Sequence, residues 1–180
     1  MSENDASLEK AFTENSALVQ ALASVLRERG ETLSCAESCT GGLLSATFAA
    51  VPGVSDVYMG TIVAYSNRVK EELLSVPSQL LKSVGAVSLP VARQMATGVR
   101  NAIHTTWALS ITGVAGPGGG SVQKPVGTVC FGIAGPGFED AVQEHLAGSR
   151  SQIQKDSTRY ALLLLANQFG LGENEFRKQE

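Results

Sequence analysis

Apolar residues recur at helical spacing at Leu18, Leu22, Val25 and Leu26, between capping residues at Asn15 or Ser16 and the breaker Gly30, which predicts a first helix. The run from Thr32 to Ala36 then changes to a strand pattern and meets two glycines. A short helix from Leu43 to Ala50 follows, stopped by Pro52 and Gly53. A second strand is predicted from about Gly60 to Tyr65, and Ser66 and Asn67 are the N-cap candidates for a helix through Leu74. Pro77 opens a short helix ending near Gly85. Ser88 and Pro90 open a longer one with Val91, Met95, Val99 and Ile103 on one face. Trp107 to Thr112 reads as a third strand, and Val126–Ala134 and Phe138–Leu146 as a hairpin turned by Gly135-Pro136-Gly137. The last helix starts near Ser149 and carries Ile153, Tyr160, Leu164 and Phe169.

Helices separate the early strands and a hairpin closes the later ones. That order predicts the α/β class: a mixed β-sheet covered by helices on both faces, a three-layer αβα architecture. The 180 residues suffice for one domain with a proper core. It is placed at residues 15–171, with a poorly ordered polar segment at 1–14 and a polar tail at 172–180. In such a sheet the loops leaving adjacent strand ends converge, so the segments after Ala36 and Tyr65 are expected to share one site.

Composition removes several classes of function. With 43% hydrophobic and 17% charged residues and no apolar run long enough to cross a bilayer, the chain reads as a globular protein without a membrane role. The polar, acidic start lacks a signal-peptide core, so a cytoplasmic location is expected. A net charge of −3 argues against a nucleic-acid partner, which needs a basic footprint. Cys35 and Cys39 are spaced for neither a thioredoxin-type pair nor a zinc knuckle. His104 and His145 lie far apart in sequence, and no metal is expected.

Four segments carry chemistry. Ala36-Glu37-Ser38-Cys39-Thr40-Gly41-Gly42 places a hydroxyl on a tight turn between strand and helix, where helix-terminal N–H groups can hold a phosphate or a developing oxyanion. Ser38 and Thr40 serve equally well, on sequence alone, as plain capping residues. In Tyr65-Ser66-Asn67-Arg68-Val69-Lys70, an Asn67 cap would put Lys70 in the first helical turn. There the dipole and any burial lower its pKa, while Glu71 and Glu72 would raise it if they faced the amine. Gly113 to Gly120 can bring backbone close to a ligand or act as a flexible connection, and it matches neither a Walker loop nor a dinucleotide fingerprint. Arg150, after Gly148-Ser149, is either a phosphate clamp at a helix start or the partner of Glu144 or Asp156.

Together and in this order, these segments resemble the CinA C-terminal domain family. The residues carrying the likeness are Ala36 to Gly42, Tyr65-Ser66-Asn67 with Lys70, Gly85-Ala86-Val87-Ser88, Gly113 to Gly120, and Lys124-Pro125-Val126-Gly127-Thr128-Val129. The likeness covers about Ser16 to Phe169. Some relatives carry a further N-terminal domain, and this chain looks like the stand-alone form. The resemblance implies hydrolysis of the carboxamide of nicotinamide mononucleotide to nicotinic acid mononucleotide and ammonia, in pyridine nucleotide recycling, without a metal or organic cofactor. It implies Ser38 as nucleophile and Lys70 as general base.

In that scheme Tyr65 positions the base or substrate, and N–H groups around Cys39, Thr40 and Gly41 take the oxyanion. Thr112, Gly113, Gly116 and Gly119 hold the nucleotide and Arg150 its phosphate. Relatives often have an acidic residue where this chain has Ser149, which remains a competent helix cap. Two other readings stand beside this one: a catalytically inactive nucleotide-binding paralogue, and an enzyme using Cys39 or Cys35 with His145 as base. A homo-oligomer is expected from the general prevalence of symmetric assemblies.

Overall fold

The structure, a computed structural model, describes residues 3–172. Its elements follow the order read from the sequence: α1 (Glu3–Arg29), β1 (Leu33–Glu37), α2 (Leu43–Ala49), β2 (Tyr58–Val63), α3 (Asn67–Leu74), α4 (Ser78–Val84), α5 (Leu89–Ile103), β3 (Trp107–Gly113), β4 (Thr128–Gly135), β5 (Phe138–His145) and α6 (Arg150–Gln168). The first helix differs in one respect. It begins at Glu3, so the capping residues Asn15 and Ser16 lie inside it. The segment 3–14 reads as a polar lead-in on sequence because it lacks the apolar stripe that Leu18, Leu22 and Leu26 supply further on. The tail from residue 173 lies outside the described residues.

The five strands form one sheet in the order β2-β1-β3-β4-β5. β1 runs parallel to both β2 and β3, whereas β3, β4 and β5 pair antiparallel, which makes the sheet mixed as expected. β1 is buried along its whole length, as a strand covered on both faces must be. Alternation along the strands sorts the core into two layers. Leu33, Cys35, Leu109, Ile111, Phe131 and Ile133 meet Leu18, Leu22, Leu44, Phe48, Leu162 and Leu165, so α1, α2 and α6 cover one face. Ala36 and Ala108 meet Leu74, Leu81, Val91, Met95 and Val99, so α3, α4 and α5 cover the other.

The second face is built from small side chains because α5 lies close against it. A Cβ added at Gly132 would sit 2.3 Å from the Ala92 carbonyl oxygen, and Ser110 Oγ already donates to that oxygen at 2.6 Å. No helix among the described residues is long and apolar enough to cross a membrane.

This topology fixes the place of any site. From β1 the chain crosses to β2 on one side, and later to β3 on the other. The carboxyl ends of β1, β2 and β3 therefore open onto one crevice where the winding direction changes.

Candidate active site

Ser38 directly follows β1, and its amide donates to Ile111 O of β3 at 2.9 Å, continuing the strand ladder by one residue. The turn then tightens through Gly41 N to Ser38 O at 3.1 Å. Gly41 and Gly42 take left-handed φ values of 64° and 106°, which a side chain would strain, and these two residues swing the chain into α2. Ser38 thus sits at the mouth of the crevice, 8% exposed.

Lys70 comes from the neighbouring loop. Ser66, not Asn67, caps α3, its Oγ accepting from Val69 N at 3.3 Å, and Lys70 falls one turn into the helix with its side chain turned inward. It is 1% exposed. Its Nζ donates to Ala64 O at 2.6 Å and to Ser38 Oγ at 2.9 Å. Ala64 is itself held by β1, its amide donating to Glu37 O at 2.7 Å, so serine and lysine are referenced to the same strand. Burial lowers the Lys70 pKa to about 8, with a smaller opposing effect from Cys39. Glu71 and Glu72 are exposed, and Glu72 is occupied by Arg68. Desolvation by burial is the main cause of the shift.

The start of α2 departs from expectation. Its N–H groups are not open to a ligand, because the carboxylate of Glu37 accepts from Gly42 N at 3.0 Å, Leu44 N at 3.1 Å and Ser45 N at 2.8 Å. Gly41 also leaves the set of oxyanion donors, since its N–H is spent on Ser38 O. The amides of Cys39 and Thr40 remain outside both sets of bonds. Glu37 is part of the turn motif, yet its apolar strand context gave no sign of this role. Gln154 is a second contributor that the sequence did not disclose. From α6 its Nε2 donates to Cys39 O at 2.8 Å and pins the same turn from the opposite side.

Tyr65 and Arg150 are brought together. Tyr65 is 61% exposed, and its hydroxyl accepts from Arg150 Nη2 at 3.0 Å, while Arg150 Nη1 donates to Gly116 O at 2.8 Å. Neither acidic partner considered for Arg150 is used: Glu144 accepts from Tyr160 and Asp156 from Gln152. The guanidinium is exposed, lies in the first turn of α6 and, among the described residues, bonds to the neutral oxygens of Tyr65 and Gly116. Ser149 caps α6 through Gln152 N, as the sequence predicts for a hydroxyl at that position.

The remaining predicted residues have mixed positions. Thr112 is buried and donates to Ala86 O at 3.0 Å, which ties the α4–α5 connection to the end of β3. Gly113 ends β3 where a Cβ would lie 2.8 Å from Val129 Cγ2, so it serves strand packing. Gly119 stands in open space with φ 82°. Cys39 is buried beside Ser38 with its thiol pushed up to about 12, chiefly by desolvation. His145 lies on β5, with β3 and β4 between that strand and β1, a separation on the order of 14 Å at ordinary strand spacing. The cysteine–histidine reading has no geometric support. No cluster of three or more metal-ligating side chains occurs among the described residues.

Comparison with known proteins agrees with this fold. A family model described as the CinA C-terminal domain matches residues 15–169. A "CinA-like protein" of Prochlorococcus marinus is 46% identical over 85% of this chain and 37% of its own length. Another from Gloeobacter violaceus is 49% identical over 82% of the chain and 35% of its own length, so the chain spans about a third of these relatives. Among solved structures, a competence-damaged protein (CinA) superfamily protein from Enterobacter cloacae superposes with a TM-score of 0.81 at 32% identity, covering 84% of this chain and 89% of its own. Its counterpart from Escherichia coli gives 0.80 at 34% identity, covering 82% and 86%.

Proposed function

The chain belongs to the CinA C-terminal domain family, and from that premise we propose that it is a serine–lysine amidohydrolase acting on the carboxamide of nicotinamide mononucleotide. The observation that carries this reading is the buried contact of 2.9 Å between Lys70 Nζ and Ser38 Oγ. An ordinary lysine is charged at neutral pH and cannot accept a proton. With a pKa of about 8, roughly a tenth of Lys70 is neutral at pH 7, and its lone pair then faces the serine hydroxyl.

The reaction follows from this pair. Ser38 Oγ attacks the carboxamide carbon as its proton passes to Lys70 Nζ. Negative charge develops on the amide oxygen, and the N–H groups of Cys39 and Thr40 are the donors assigned to it. Lys70 returns the proton to the departing nitrogen, which leaves as ammonia. Water then attacks the acyl-serine with Lys70 again as base, releasing nicotinic acid mononucleotide and restoring both side chains. Arg150, an exposed cation between the glycine loop and Tyr65, is assigned to the phosphate.

The test is incubation of the purified protein with nicotinamide mononucleotide, with ammonia and nicotinic acid mononucleotide both quantified and Ser38→Ala as the control. Equal yields from the native chain and none from the variant support the proposal. Nucleotide binding without product would overturn it in favour of a non-catalytic binding protein.

A further inference from the structure

A charged side chain rarely sits in a fully buried strand unless its partners are fixed, and Glu37 is 0% exposed on β1. Its backbone belongs to the ladder, with Ala64 N donating to its carbonyl oxygen. Its carboxylate reaches over the next four residues to accept from Gly42, Leu44 and Ser45. The N-cap residue of α2, Gly42, has no side chain to cap with. Glu37 supplies the missing cap from outside the helix, through three charge-assisted hydrogen bonds. These bonds close a ring around Ser38, Cys39, Thr40 and Gly41. One end of the ring is the rigid centre of the sheet and the other is the first turn of α2.

We propose that Glu37 is a positioning residue for the amide-hydrolysing step: it holds the Ser38 turn so that Oγ faces Lys70 and the Cys39 and Thr40 amides face the reacting oxygen. It does this without touching substrate. The inference rests on the reading of Ser38 as nucleophile. Without the carboxylate, three amides at the start of α2 lose their acceptor, and the turn relaxes between its two anchors. Substrate binding through Arg150 is untouched, because that contact belongs to α6, the glycine loop and Tyr65. The loss therefore falls on turnover and not on affinity.

The experiment compares the native chain with Glu37→Gln, which keeps the length of the side chain but cannot accept at both ends. Nicotinamide mononucleotide is the substrate, and rates are normalised to folded protein by circular dichroism. The expected result is a ten- to hundredfold fall in kcat with KM within twofold of native. The rising limb of the pH profile stays near pH 8, since Lys70 keeps its surroundings. Faster hydrogen exchange at the Gly42, Leu44 and Ser45 amides accompanies the fall. If Glu37→Gln does not fold, Glu37→Asp, which keeps the charge one methylene short, is read in the same way. A native kcat, a loss confined to KM, or a displaced pH limb in the folded variant would overturn the proposal. A native chain that releases no ammonia overturns the amidohydrolase reading instead, so the two failures are distinguishable.

Discussion

Lys70 Nζ stands 2.9 Å from Ser38 Oγ across 32 residues of chain, and the lysine's second bond, to Ala64 O, fixes the amine at the end of β2. The contact depends on two parallel strands ending side by side, with Glu37 paired to Val63 in register. Ser38 extends one of these strands, and Lys70 reaches back from the helix that follows the other.

Removing either member of the pair should abolish turnover. Ser38→Ala and Lys70→Ala are expected to lower kcat about a thousandfold or more with the fold retained. Lys70→Arg should be equally inactive, because a guanidinium keeps its charge yet cannot act as a base. Ammonia release and circular dichroism on the same samples check both points.

The activity of the native chain should rise with pH. Lys70 must be neutral to accept the serine proton, so kcat/KM is expected to climb through pH 8 and level off above it. A profile flat between pH 6.5 and 9 would remove Lys70 from the role of base.

Lys70 also links stability to pH. Its folded pKa lies below the ordinary 10.5, so the unfolded chain binds the proton more tightly and the charged lysine opposes folding below about pH 8. As pH rises from 8 toward 10.5 the native state should gain up to about 3 kcal/mol relative to a Lys70→Met variant, in which that dependence is absent. Urea unfolding of both proteins at pH 7 and pH 10 measures the difference.

Arg150→Ala should raise KM for nicotinamide mononucleotide about ten- to a hundredfold, the usual scale for losing hydrogen bonds to a charged group. It should leave turnover of the riboside, which lacks the phosphate, nearly unchanged. Tyr65→Phe removes one neutral partner of the guanidinium and is expected to cost only a few-fold. Initial rates with both substrates separate these outcomes.

Cys39→Ala should keep activity within a few-fold of native. The thiol beside Ser38 is buried, with a pKa near 12, and carries almost no thiolate at neutral pH. Loss of activity in a folded Cys39→Ala protein would return the thiol to consideration.

The sequence by itself determined the succession of elements, because the apolar spacing of 3.6 or 2 and the glycine and proline breaks are local signals that need no knowledge of the partner surface. It offered Ser38, Lys70 and Arg150 as candidates that a plain capping or surface role fitted as well, and only the resemblance to a family gave them roles. Only the tertiary structure decided what those groups touch. The start of α1 moved to Glu3, because a stripe of apolar residues reports burial and not helix length. The lysine shift proved to come from desolvation, which depends on what packs over a side chain. Glu37 and Gln154 were silent in sequence, since a carboxylate in an apolar strand or an amide on a helix acquires meaning only when its acceptors and donors arrive. Arg150 had two acidic candidates on paper, Glu144 and Asp156, and bonded to Tyr65 and Gly116 instead, residues 85 and 34 positions away that the closing of the sheet carried to the same rim.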